Sequence, residues 1–87
     1  MKMKDNSKTK VILGKNVRYY RHMNNLTQEK LAERCDLSTR YISDIENGNG
    51  NISVDTLAKI STMLNVNAFQ LIKEKNIKEL PKRINMK

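Results

Sequence analysis

Residues 26–48 read LTQEKLAERCDLSTRYISDIENG, and this stretch decides the fold. In its first half, apolar residues recur at helical spacing, so a two-turn helix with one largely apolar side is predicted. The apolar residues are Leu31, Ala32 and Cys35, and they lie three, four and seven positions after Gln28. Thr27 precedes them and can cap the start of the helix.

A second short helix is predicted after the interruption at residues 36–38. Ser38 is its N-cap, and Gly48 suits the left-handed position just past its end. Ile42 and Ile45 point inward, whereas the opposite face is polar. That face consists of Thr39, Arg40, Ser43, Asp44 and Asn47.

Two short helices joined by a tight turn are typical of a helix-turn-helix, whose second helix enters the major groove of DNA. The alternative is an ordinary solvated helix face. The face carries one guanidinium and several hydroxyls and lacks a ladder of Lys and Glu, which favours DNA binding.

The formal net charge is +8, and its distribution is uneven. Residues 1–24 carry seven Lys or Arg against one acid, and residues 73–87 carry six against two. Residues 25–72 carry four against six. Attraction to phosphate is therefore expected mainly from the first helix and the two ends. The alternative for the basic ends is that they are solvated tails.

Other classes of protein are disfavoured. The basic start is followed directly by only three apolar residues, 11–13, which are too few for a signal peptide, and no apolar run is long enough to span a bilayer. One cysteine excludes an internal disulfide and fits the cytoplasm, where we predict a nucleoid-associated protein. His22, the only histidine, has no partner residue for a metal site. No cofactor, metal, catalytic residue or small-molecule ligand is predicted.

Periodicity completes the prediction. A first helix is expected from about Lys10 to Asn24, a fourth capped by Ser53 and ending near Asn65, and a short fifth capped by Asn67. With 87 residues there is room for one domain. We predict a basic arm at residues 1–9, a domain at residues 10–75 and a basic tail at residues 76–87.

The chain resembles the phage-repressor or Xre type of helix-turn-helix proteins over roughly residues 11–74. The matching residues are Leu26-Thr27-Gln28-Glu29-x-Leu31-Ala32, Tyr41-Ile42-Ser43-x-Ile45-Glu46-x-Gly48 and Leu57-x-x-Ile60-x-x-x-Leu64-x-Val66. The resemblance implies an all-α, compact, five-helix lambda-repressor-like DNA-binding domain. Asp36 stands where the turn usually carries Gly, so a slightly strained turn is expected.

The resemblance also implies contact residues. Gln28 would contact phosphate and support the recognition helix, and Thr39, Arg40 and Asp44 would touch base edges. Arg40 suits guanine, the alternative being phosphate, while Asp44 either accepts from cytosine N4 or orients Arg40. Residues placed near sugar or phosphate are Ser38, Ser43 and Asn47, and in the loop the backbone N–H groups of Asn49, Gly50 and Asn51 are expected to approach phosphate.

Four expectations stay open. Tyr41 either packs against the domain or gives its hydroxyl to phosphate. The small residues at positions 49–51 would be explained equally well by tight loop geometry without any contact to phosphate. In the resembling family, residues placed like Arg21 and Glu46 form a structural ion pair, the alternative being two independent surface charges. The fifth helix is expected to form a homodimer interface unless its apolar residues are all core. The expected interface residues are Val66, Phe69, Leu71 and Ile72.

The sequence therefore predicts a transcriptional regulator that binds a short palindromic operator in double-stranded DNA as a homodimer. The chain resembles the controller proteins of restriction–modification systems in its small size and in the segments around Arg40 and Asn51. A phage or mobile-element repressor is the first alternative. An antitoxin-like protein, whose main partner is another protein, is the second.

Overall fold

The structure, a computed structural model, describes residues 7–74. Within that range the chain forms five α-helices and no strand, which confirms the predicted all-α architecture. The helices are α1 Ser7–Met23, α2 Gln28–Cys35, α3 Thr39–Glu46, α4 Val54–Met63 and α5 Ala68–Ile72. The predicted tail at residues 76–87 and the first six residues of the predicted arm lie outside the described residues.

Helix α1 begins at Ser7, three residues before the predicted start at Lys10. Residues 7–9 therefore belong to the helix, which corrects its expected start at Lys10. Apolar periodicity misses such a polar first turn, which contains no Gly or Pro to stop the helix. At the other end α1 stops at Met23, and Asn25 takes a left-handed φ of 59°.

Each of the remaining four helices is preceded by a residue whose side chain accepts the backbone N–H of the residue three positions further along the chain. The distances are 3.0 to 3.1 Å, and such caps satisfy donors that have no partner inside the helix. The N-caps are Thr27, Ser38, Ser53 and Asn67, all predicted from the sequence. Because these helices have only five to ten residues, the caps help to fix the residue at which each helix begins.

The turn between α2 and α3 has Asp36 in the left-handed conformation, with φ 57° and ψ 44°. The N–H of Leu37 then donates to the carbonyl of Ala32 at 2.9 Å, which closes the end of α2. A left-handed conformation costs an L-residue about 1–2 kcal/mol, a cost that Asp tolerates better than most residues. The predicted strained turn is therefore present.

One apolar core lies between the five helices. Its members are Leu13, Val17, Leu26, Leu31, Ala32, Cys35, Ile42, Ile45, Ile60, Leu64 and Leu71. The position of Leu71 corrects the predicted dimer interface, because its side chain is completely buried in the core. Cys35 is also fully buried, and this desolvation raises the pKa of its thiol, although Lys59 acts in the opposite direction.

Helix α1 crosses α3 at Gly14. A β-carbon on Gly14 would overlap the carbonyl oxygen of Ile45 and lie 2.9 Å from that of Glu46. The missing side chain therefore lets the two helix backbones approach each other closely. This contact places α1 directly behind the end of α3.

Candidate nucleic-acid interface

The outward face of α3 is polar over most of its length. Ile42 and Ile45 are fully buried beneath it, so the rotation of α3 about its axis is set by the core. Three of the predicted contact residues, Thr39, Arg40 and Asn47, are exposed, and two, Ser43 and Asp44, are half-buried. The structure thus brings the predicted polar residues of α3 together on one face.

Arg40 is the most prominent cation of this face. Its side chain is 87% exposed, and its Nε atom lies 3.6 Å from Oδ1 of Asp44, one helical turn away. Arginine has five N–H donors, so a single contact at Nε leaves the terminal amino groups for a ligand. Asp44 is therefore placed to orient Arg40, one of the two roles considered for it.

Hydroxyl groups at the two ends of α3 have intramolecular partners. Ser38 Oγ accepts the N–H of Tyr41 at 3.0 Å, and Asn47 Nδ2 lies 3.5 Å from Ser43 Oγ. The Tyr41 ring packs against the core, and its hydroxyl donates to the carbonyl of Asn51 at 3.0 Å. Tyr41 therefore takes the packing role of its two expected roles and holds the following loop against α3.

A three-residue polar network ties the start of α2 to the end of α3. The Arg21 guanidinium donates to both oxygens of Glu46, from Nε at 2.6 Å and from Nη2 at 3.0 Å. Gln28 Nε2 donates to Oε1 of the same carboxylate at 3.0 Å. The expected supporting glutamine and the expected ion pair thus meet at Glu46.

The loop after α3 differs from the prediction in one respect. The N–H of Asn49 donates to the carbonyl of Asp44 at 2.9 Å, so it is not available for the predicted contact with phosphate. Gly48 has a φ of 83°, and a β-carbon on Gly50 would lie 2.6 Å from Cγ1 of Ile45. Tight geometry therefore explains both glycines. The side chains of Asn49 and Asn51 are exposed.

Helix α5 presents a small apolar surface on the outside. Phe69 is 62% exposed and Ile72 is 43% exposed, while Val66 is half-buried against the core. The Nζ of Lys73 lies 5.8 Å from the centre of the Phe69 ring. Three of the four predicted interface residues are therefore wholly or partly accessible.

Sequence reasoning missed Asn16, which is buried and donates to the carbonyls of Leu71 and Lys73 at 2.9 and 2.8 Å. These bonds attach the end of α5 to α1. A signal was present, because Asn16 is the polar member of a stripe with Leu13, Val17 and Tyr20 at helical spacing. Such a residue must find hydrogen-bond partners inside the fold.

Within residues 7–74, no helix has the length and apolar character needed to cross a membrane. The same residues contain no group of three His, Cys, Asp or Glu side chains that would hold a metal ion.

Comparison with known proteins places this geometry in a family. Residues 17–71 match the family described as helix-turn-helix. The chain is 45% identical over 64 residues to the control protein C.BamHI of Bacillus amyloliquefaciens, covering 72% of this chain and 79% of that protein. It is 39% identical over 69 residues to the control protein C.SmaI of Serratia marcescens, covering 79% and 82%.

A solved structure has the same fold. The restriction–modification controller protein C.AhdI from Aeromonas hydrophila superimposes with a TM-score of 0.74 at 29% identity. The match covers 78% of this chain and 99% of that protein. The chain therefore belongs to the helix-turn-helix family of DNA-binding transcriptional regulators and is similar to restriction–modification control proteins.

Proposed function

We propose that this protein is a sequence-specific regulator that binds a short palindromic operator in double-stranded DNA as a homodimer. The observation that carries the proposal is the outward face of α3. It presents an exposed guanidinium and several hydrogen-bonding groups over a fully buried apolar side. A helix of this kind fits the major groove, where base edges offer donors and acceptors. The protein acts by binding, without a catalytic step.

Within this proposal the residues on and around α3 contact different parts of the DNA. Arg40 reads guanine through its terminal amino groups, while Asp44 holds its Nε. Thr39 contacts the neighbouring base edge. Sugar and phosphate are contacted by Gln28, Ser38, Ser43 and Asn47, and by the exposed side chains of Asn49 and Asn51.

The homodimer follows from the size of one module. A single recognition helix reads few base pairs, and one small domain buries too little surface for tight specific binding. Phe69 and Ile72 supply apolar surface on α5, with Val66 at its edge. Two copies joined there would bind half-sites separated by about 10–10.5 base pairs or a multiple of that.

The biological role that we propose is control of a restriction–modification system. Two similar proteins carry the name control protein, and a controller protein shares the fold. An endonuclease gene and a methylase gene beside this one would support the role. A phage lysogeny region would favour a phage repressor instead, and a toxin gene would favour an antitoxin-like protein.

Selection of binding sites from randomised duplexes tests the molecular part of the proposal. We expect the wild-type protein to enrich a two-fold symmetric sequence and to migrate on it as a dimer. The control is the double variant Arg40→Ala, Asp44→Ala, which loses the charged pair of α3 and should enrich a weaker consensus. No enrichment by the wild-type protein would contradict sequence-specific binding.

A further inference from the structure

Helix α1 is unusual in charge. Its 17 residues include three lysines and two arginines and no Asp or Glu. Arg21 is buried and bound to Glu46, so its charge is neutralised inside the fold. The other four cations, Lys8, Lys10, Lys15 and Arg18, have no acidic neighbour on their own helix.

Three of these cations share one side of α1. Lys8, Lys15 and Arg18 are spaced i, i+7 and i+10, with Val11 between them at i+3, and all four residues are exposed. Such spacing forms a continuous row along a helix, about 15 Å long at 1.5 Å per residue. We call Lys8, Lys15 and Arg18 the α1 basic stripe. Among residues 7–74, the ion pairs involve Arg21, Lys30 and Arg40 and none of the stripe cations.

The α1 basic stripe runs beside the C-terminal end of α3. Val11 lies in the row, and its Cγ2 atom would be 3.2 Å from a β-carbon on Gly48. Gly14, on the adjoining side of α1, packs against the backbone carbonyls of Ile45 and Glu46. The stripe therefore borders the end of the helix that carries the proposed base contacts.

The position of the stripe matters because the rest of the folded domain has an excess of acidic residues. Residues 25–72, which include the whole of α2 to α5, carry four Lys or Arg against six Asp or Glu. A surface of that composition gains little from approaching a polyanion. Cations beside α3 that form no ion pair within residues 7–74 would instead release counterions from phosphates and gain affinity.

We propose that the α1 basic stripe binds the phosphate backbone of the DNA, alongside the end of the recognition helix. These contacts are independent of sequence, because phosphates carry no base information. They add affinity and hold α3 in register, whereas Arg40 and its neighbours choose the site. The inference rests on the proposed function, since it needs DNA as the ligand of α3.

The test compares two double variants that lose the same charge. Lys15→Gln, Arg18→Gln removes two stripe cations, and Arg34→Gln, Lys59→Gln removes two exposed cations on α2 and α4. The probe is a short random-sequence duplex, and the measurement is log K against log salt. We expect the stripe variant to flatten the slope by about 0.9 per lost contact, which is about 1.8 for each protomer bound. The control variant should keep the wild-type slope.

The outcomes separate this inference from the proposed function. Equal slopes for the two variants would overturn the stripe as a phosphate surface, even if the wild-type protein selects an operator normally. A stripe variant that changes base preference without changing the slope would also overturn it. A wild-type protein that binds no duplex would overturn both proposals. Unfolding curves check that the variants are folded, which is expected because the four substituted residues are exposed.

Discussion

Arg21 and Glu46 form a two-point ion pair between α1 and α3, with side chains that are only 7% and 3% exposed. Arg21 Nη1 also donates to the carbonyl of Leu26 at 2.8 Å. Glu46 also accepts from Gln28. One carboxylate therefore links the first helix, the start of the supporting helix and the end of the recognition helix.

Glu46→Ala should destabilise the fold strongly. Removal of the carboxylate strands a buried guanidinium, which typically costs about 3–5 kcal/mol of the free energy of unfolding. The control is Asp44→Ala, which breaks the exposed pair with Arg40 and should cost less than about 1 kcal/mol. Denaturant unfolding measures both. A Glu46→Ala protein within about 0.5 kcal/mol of wild type would refute the structural role of the pair.

Arg40→Ala should weaken specific DNA binding by about 1–3 kcal/mol and relax the preference at one base pair of each half-site. Binding to random-sequence DNA should change little, because the lost interaction is with a base. Site selection with the variant measures the preference directly. If the selected site is unchanged at every position, Arg40 does not read a base.

Gly14→Ala should lower stability, although Ala is normally the better helix residue by about 1 kcal/mol. The added methyl group would collide with the carbonyl oxygens of Ile45 and Glu46, which are backbone atoms that cannot rotate away. Overpacking of this kind costs about 1–3 kcal/mol. The exposed neighbour substitution Arg18→Ala serves as the control, with an expected change of less than about 0.5 kcal/mol. A more stable Gly14→Ala protein would contradict the close crossing of α1 and α3.

Asn16→Leu should destabilise the attachment of α5 to α1. Leucine is of similar size but leaves the carbonyls of Leu71 and Lys73 without the Asn16 amide, and a buried unsatisfied group costs about 1–3 kcal/mol. Thermal unfolding is the measurement, and the exposed substitution Lys15→Leu is the control. Equal melting temperatures for the two variants would show that these hydrogen bonds contribute nothing.

Phe69→Ser and Leu71→Ala should affect different properties, the first dimerisation and the second folding stability. Phe69 is largely exposed, so its replacement should shift the protein from dimer to monomer in sedimentation without loss of folding stability. Leu71 is fully buried, so its truncation should cost about 2–5 kcal/mol of folding stability. A wild-type protein that remains monomeric both free and on its operator would disprove dimerisation through α5.

The sequence by itself determined the local structure of this protein. Each N-cap acts on a backbone group three residues away, and the apolar rows of α2 and α3 follow from spacing within single helices. The same periodicity placed Arg40 and its polar neighbours on the side of α3 opposite Ile42 and Ile45. Hence the five-helix fold and the polar face of α3 were predictable.

Only the tertiary structure decided the relations between distant residues. Helix α5 has five residues, little more than one turn, so no repeat in its sequence tells that Leu71 is buried and Phe69 exposed. Asn16 finds its acceptor 55 residues away, and Gly14 matters only because α3 crosses α1 there. Such contacts depend on the angles at which helices pack and on their rotation about their axes. Those quantities are set by the whole core, so residues far apart in the chain decide them together.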